Sequence, residues 1–309
     1  MLRKKVLITG GTGLLALNWA CAIRGTHDVV LATHTRQVSL EGATAAPLAL
    51  DDALALRREL ERIAPNVIVH TAGITSVEQC EREPELARHV YVDLARNVAG
   101  AARHLGAGLI HISTDHLFSG TRALSAEDAP PEPVNVYGRV KMLAEETVLG
   151  ACPGALVVRT NFFGWGHRYR QSFSDWIYYS LRGGNAVTMF EDVIITPILA
   201  DRLATCAQRL LELGASGVYN VAGDERVSKY TFGVRLAAAF GLPDRLVRRG
   251  TIAASRMSVK RPPDMSLDSA KARSLLGAPL GTVADFLSIL ERQDREGRRR
   301  ELLAAVTES

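Results

Sequence analysis

Cysteine is scarce in this sequence: four residues in 309, Cys21, Cys80, Cys152 and Cys206, none in a CxxC pair or spaced with histidine as metal ligands are. That argues against a disulfide framework and a zinc site, and leaves reduced thiols in a cytoplasmic protein as the expectation. No run of about 18 apolar residues occurs, and the apolar run after MLRKK is too short for a signal peptide, so no membrane segment is expected. One-sided charge is missing too. The formal net charge is only +4, and part of it sits in residues 292–300, read as a solvated helix face, so nucleic acid is a poor partner. There is no internal repeat and no low-complexity tract. What remains is an ordinary globular composition, 47% hydrophobic and 23% charged, long enough to bury an ample core.

Short β-rich runs alternate with helical stretches through the first half, the pattern of an α/β fold with a doubly wound, Rossmann-like parallel sheet. Strands are expected at 5–9, 28–33, 46–50, 66–70, 108–112 and 155–159, and helices at 14–23, 53–63, 84–105 and 137–149. Most of the strands are apolar throughout, as strands covered on both faces are. After residue 160 the alternation loosens. GVYNVAG returns one strand to the sheet, and SKYTFGVRLAAAFG, the loop SRMSVKRPPDMSLD and a helix from Val283 form a smaller C-terminal lobe. The expected division is a dinucleotide-binding core over 1–162 with a return at 195–223, and a substrate lobe from 163–194 and 224–309. In such sheets the ligand lies outside the carboxyl ends of the strands.

The first strand runs into TGGTGLLA and then a helix. Gly11, Gly13 and Ala16 fit GxGxxG/A, in which glycine permits the tight turn and the close approach of a pyrophosphate. Gly10, Gly11, Thr12, Gly13, Leu14 and Leu15 are therefore candidate cofactor contacts, with the helix N-terminus supplying free N–H groups. The second strand ends in ATHTRQ, without the acid that usually holds an NAD ribose. His34 and Arg36 suit a 2′-phosphate instead, which favours NADP(H) over NAD(H). Downstream, NVYGRVK sets Tyr137 and Lys141 four residues apart on one helix face. A phenol has a pKa of about 10 and needs a neighbouring cation to become an anion near neutrality, so Lys141 is expected to lower the Tyr137 pKa.

Together with these stretches, ALDD at 49–52, HTAGIT at 70–75, ISTDHLFSG, RTNFFG, ITP at 195–197, GVYNVAG and RPPDMSLD resemble the extended short-chain dehydrogenases/reductases, and among them the dTDP-4-dehydrorhamnose reductase branch. The resemblance implies an NAD(P)-dependent oxidoreductase that reduces a 4-keto group on a nucleotide-linked 6-deoxy sugar, the nucleotide being dTDP, with hydride from the nicotinamide. By position, Thr114 would bind the substrate carbonyl, Tyr137 would give the proton, and Lys141 would hold the nicotinamide ribose. Asp51 and Asp52 would lie near the adenine, Thr71, Ala72 and Gly73 beside the cofactor, and Asp115 against substrate hydroxyls.

Where this branch usually reads STDYVFDG, the chain has His116, Leu117 and Ser119, and Phe162 replaces a tryptophan that contacts substrate. These departures bear on which sugar fits. Asp93 replaces a frequent asparagine. For the substrate diphosphate the candidate cations are Arg168, Arg170, Lys260 and Arg261, with Arg261 first; Phe162, Phe163, Trp165 and Tyr169 stack on ligand or form lobe core. Three rival readings share the fold: a nucleotide-sugar epimerase, a 4,6-dehydratase with His116 at its glutamate position, and a non-catalytic NADP-binding regulatory subunit. A homodimer is compatible with all of them.

Overall fold

Strand β1 (Lys5–Thr9) shows why a central parallel sheet forms: Val6 and Ile8 enter one apolar cluster and Leu7 the opposite one, so the strand is covered on both faces. We describe this from a computed structural model, which covers residues 3–74, 76–255 and 257–307. Thr75 of HTAGIT and Arg256 of the SRMSV loop lie outside the described residues. The other sheet strands are β2 (Asp28–Thr33), β3 (Ala43–Pro47), β4 (Val67–His70), β5 (Gly108–Ile112), β6 (Leu156–Arg159) and β7 (Gly217–Asn220). Their order is β7-β6-β5-β4-β1-β2-β3, and every pair is parallel. The fold is the Rossmann-like doubly wound sheet that the alternation predicts.

Helices α1 (Leu14–Ile23) and α5 (Ala200–Glu212) pack together on one face. On the other lie α2 (Ala53–Ile63), α3 (Leu94–Leu105) and α4 (Val136–Ala151). Two expected boundaries move. The third strand pairs over Ala43–Pro47 rather than 46–50, because it is a half-exposed edge strand of Ala and Thr that carries little hydrophobic signal. The long helix expected at 84–105 is broken by a π-helical turn, His89–Asp93, between Pro84–Arg88 and α3. That turn carries Tyr91 inward, 5% exposed, where its hydroxyl donates to the Ile74 carbonyl. Asp93, at the end of the turn, is engaged by Arg96 at 2.9 Å and Arg88 at 3.5 Å.

The C-terminal segments add α6 (Lys229–Ala239) and α7 (Val283–Arg295), and the chain ends by pairing Val306–Thr307 antiparallel to Gln37–Val38. The basic stretch 292–300 is not uniformly solvated. Arg299 bonds Asp294 at 2.6 Å and lies over the rings of Trp165, Tyr178 and Tyr179, and Arg298 pairs with Asp201.

The most consequential polar contact in the core is an ion pair. Arg159, at the end of β6, meets Glu145 of α4 with Nη2–Oε2 at 2.8 Å and Nε–Oε1 at 3.0 Å, both residues 4% exposed. Ser113, just after β5, donates to the same carboxylate. Removing one partner of such a buried pair strands a charge and costs about 3–5 kcal/mol. Glu145→Gln is therefore expected to lose stability on that order in urea unfolding, and Glu145→Leu/Arg159→Met to recover most of it; a single variant as stable as the parent would contradict this assignment.

Candidate functional site

The glycine-rich turn fills the space between β1, β2 and the segment after β4. Gly11 N donates to Ala32 O at 2.8 Å and Gly13 N to Gly10 O at 2.7 Å. A Cβ on Gly11 would stand 2.8 Å from Ala32 O, and one on Gly10, whose φ is +66°, 2.9 Å from Ala72 Cα. Only glycine lets the chain turn here this tightly. Gly13 is the N-cap of α1 and offers no side chain, so the first N–H groups of the helix face outward from the turn. Beside them is a cleft of about 430 Å³, lined by Gly10, Gly11, Thr12, His34, Asp51, Ala72 and Gly73 among others. A glycine cradle, an uncapped helix N-terminus and an adjoining cleft are the features a dinucleotide needs, and the residues fit one.

The other residues expected at the cofactor are distributed unevenly. Thr71 Oγ1 donates to Thr9 O at 2.7 Å, and Thr9 Oγ1 bonds His70 Nδ1 at 2.7 Å, which fixes the segment after β4 against the glycine turn. Asp51 meets His89 at 3.0 Å on the rim. Asp52 instead caps α2, accepting from Leu54 N and Ala55 N. Arg36 is exposed beyond the cleft, its guanidinium 5.0 Å from the Tyr169 ring centroid. Leu14 and Leu15 begin α1, Leu15 buried in the core.

At the carboxyl end of β5 the chain brings Thr114, Tyr137 and Lys141 together. Thr114 is 4% exposed and Lys141 5% exposed. The N-terminus of α4 is fixed by Asn135, which accepts from Gly138 N at 2.9 Å and donates to Lys260 O at 3.0 Å, and by Glu81, which accepts from Val136 N. A Cβ at Gly138 would lie 2.5 Å from His116 O, so glycine lets the helix that carries Tyr137 close on this loop. Lys141 Nζ donates to Ile112 O at 2.6 Å and sits 4.9 Å from the Tyr91 ring centroid. Burial lowers its pKa to about 8, with Glu145 opposing.

The phenol departs from expectation. Burial pushes the Tyr137 pKa up to about 12, the Thr114 hydroxyl opposing and the Asp115 charge adding to the rise. The Lys141 ammonium is engaged by the Ile112 carbonyl.

Asp115, 2% exposed, accepts from Asn161 and, at 3.2 Å, from the Thr114 hydroxyl. Burial raises its pKa to about 6 against the pull of those bonds and of the Lys229 charge. His116 stands edge-on to Tyr137, ring centroids 5.4 Å apart, and burial beside Lys229 and Arg261 drops its pKa to about 3. Its imidazole is neutral near pH 7, so no imidazolium acid stands there and the ring is a weak base.

Among the proposed diphosphate cations, Arg261 pairs with Glu78, and Arg168 is tied to the Leu303 carbonyl at 3.3 Å. Arg170 is exposed on a turn closed by mutual His167 and Arg170 backbone bonds of 2.9 Å. Of the aromatics, Phe163 and Trp165 are core, while Phe162 and Tyr169 are half-buried against it. Asn161, Lys229 and Tyr91 do not stand out in the sequence as site residues, although the first two lie inside RTNFFG and SKYTFGVRLAAAFG.

Residues 4–288 match the family model described as RmlD substrate binding domain. The chain belongs to that family. This is the dTDP-4-dehydrorhamnose reductase branch of the extended short-chain dehydrogenases/reductases, and the chain is placed with it among NAD(P)-dependent oxidoreductases. A probable low-salt glycan biosynthesis reductase of Haloferax volcanii is 29% identical over 293 residues, 92% of this chain and 96% of that one. Methionine adenosyltransferase 2 subunit beta of Pongo abelii is also 29% identical, over 285 residues, 88% of this chain and 82% of that one. The crystal structure of a Bacillus anthracis dTDP-4-dehydrorhamnose reductase in complex with NADP superposes with a TM-score of 0.83 at 22% identity, covering 94% of this chain and all of that one.

The raised Asp115 pKa has a sign that can be measured. The folded state holds this proton more tightly than the unfolded chain, so the parent loses stability relative to Asp115→Asn as pH rises from about 4 to 6, by about 2 kcal/mol. Urea unfolding across that range tests this; a difference that is constant with pH would refute it.

Proposed function

We propose that the protein reduces the 4-keto group of a 6-deoxy sugar carried on a nucleoside diphosphate, with NADPH in preference to NADH. The reading is carried by the convergence of Thr114, Tyr137 and Lys141 at the carboxyl end of β5, beside the glycine-rich turn. When bound along that turn, the nicotinamide cofactor supplies the hydride. Thr114 turns the hydroxyl hydrogen that it otherwise gives Asp115 toward the substrate carbonyl, polarising it and fixing its distance from Tyr137. Tyr137 then gives its phenolic proton to the oxygen as negative charge develops there. A phenol held protonated by burial is suited to this direction, since the alkoxide it neutralises is the stronger base. Lys141, pinned by the Ile112 carbonyl, orients the ribose side of the cofactor and places positive charge near the phenolate left behind.

His34 and Arg36 favour the phosphorylated cofactor by their position at the end of β2. Residues 163–194 and 224–309 supply the substrate side of the cleft, with Asp115, Phe162 and Arg261 among its contacts. The likeness to methionine adenosyltransferase 2 subunit beta supports a second reading, an NADP-binding regulatory subunit. The complete Thr114, Tyr137 and Lys141 set favours the enzyme over that alternative, and the neutral, low-pKa His116 disfavours a dehydratase acid or base at that position.

Following NADPH absorbance against a panel of 4-keto nucleotide sugars tests the proposal. One member should turn over, Tyr137→Phe should lower kcat by about 10²–10⁴-fold, as expected for a lost general acid, and NADPH should bind more tightly than NADH. No turnover on any member, or full activity in the variant, would leave the regulatory reading in its place.

A further inference from the structure

The hairpin 166–170, GHRYR, belongs to the second lobe, yet it is built against the glycine turn. Asn18 of α1 donates to Trp165 O at 2.7 Å, which ties the approach to the hairpin to the helix that the turn starts. Asp175 accepts from Gly166 N at 2.6 Å and from Ser172 N at 2.8 Å, and so closes the hairpin onto the capped end of the helix Phe173–Arg182. A Cβ at Gly166 would stand 2.2 Å from Arg170 O, so only glycine lets the two arms come this close. Between them His167, 3% exposed, accepts from Tyr169 N at 3.4 Å and lies beside the Thr12 backbone. Burial, then the charges of Arg36 and Arg170, lower its pKa to about 4, so its imidazole adds no charge near pH 7.

That frame sets where Tyr169 stands. Its ring is half-buried against the core, and the Arg36 guanidinium carbon lies 5.0 Å from the ring centroid. Arg36 follows β2 by three residues, just after His34 and Thr35, which line the cofactor cleft. Its side chain has no ion pair or hydrogen bond among the described residues, so its N–H donors stay open to an anion. A surface arginine ordinarily gives up rotamer freedom when it binds; one already laid on an aromatic face gives up less, and it keeps its full charge there.

We propose that Tyr169 is a positioning residue for cofactor choice: its ring holds the Arg36 guanidinium beside the glycine turn for a phosphate on the adenosine ribose, so that a hairpin of the second lobe helps set the preference for NADPH over NADH. The inference rests on the reading of Arg36 as the 2′-phosphate contact, and adds the surface that pre-organises it. Tyr169 acts through Arg36 and not on the cofactor itself, which makes its effect conditional on that arginine.

The test is fluorescence titration with NADPH and with NADH, which needs no sugar substrate, in the parent, Arg36→Ala, Tyr169→Leu, Tyr169→Phe and the Arg36→Ala/Tyr169→Leu double variant. Arg36→Ala should cut the preference for NADPH by about tenfold or more, as the loss of a charge-assisted bond does. Tyr169→Leu should cut it by about threefold, the scale of an exposed cation–π contact, while Tyr169→Phe keeps it and the double variant is no worse than Arg36→Ala alone. NADH affinity equal to the parent's shows that the variants are folded and the glycine cradle intact. The inference is overturned if Tyr169→Leu keeps the parent's preference, if it weakens NADPH and NADH equally, if it still acts when Arg36 is gone, or if Tyr169→Phe is as poor as Tyr169→Leu. A preference that falls in Arg36→Ala but ignores Tyr169→Leu defeats this inference alone; one that is absent in the parent or unchanged in Arg36→Ala defeats the reading of Arg36 and the inference with it.

Discussion

The buried pair of Glu145 and Arg159 is the constraint on which the site's geometry depends. Helix α4 carries Tyr137, Lys141 and Glu145 at successive four-residue steps, so all three lie on one face. Glu145 is bound by Arg159 from β6 and by Ser113 from the end of β5, and Lys141 by the carbonyl of Ile112. Those contacts peg the helix to the edge of the sheet one residue short of Thr114. The distance between Thr114 and Tyr137 is thus set by a charge pair and a backbone acceptor in the core, and not by the loop between them.

Dryness is the second constraint. Burial is the largest influence on Tyr137, Lys141, Asp115 and His116, and it drives each toward its neutral form. A phenol kept protonated beside an ammonium that is still mostly charged near neutrality makes a proton donor whose product anion has charge waiting beside it. The glycine turn serves the same economy of space: without side chains at Gly10 and Gly11, the backbone reaches positions where a Cβ would collide with Ala72 or Ala32.

Much of this was legible in the chain. The sheet, the glycine turn and the Tyr137 and Lys141 pair follow from local periodicity and spacing, which are properties of short windows. What escaped depends on encounters between distant segments. Nothing near Lys229 announces that its charge acts on Asp115, which is more than a hundred residues away in sequence; the π-helical turn that delivers Tyr91 has no composition signal; and the rise in the Tyr137 pKa comes from burial that spacing alone does not report. Arg261 was legible as a site residue, but its pairing with Glu78 was not. The Ala-rich edge strand was misplaced because its weak hydrophobicity resembled the loop beside it.

The central claim is that hydride passes from a nicotinamide in the glycine-rich cleft to a sugar carbonyl bound at Thr114 and Tyr137. It is tested most directly by running the reaction with NADPH deuterated at the transferable C4 position and locating the label in the sugar product by mass spectrometry and NMR. The account predicts deuterium on the former carbonyl carbon. A reduced product without the label there, or label recovered only in solvent, would contradict it.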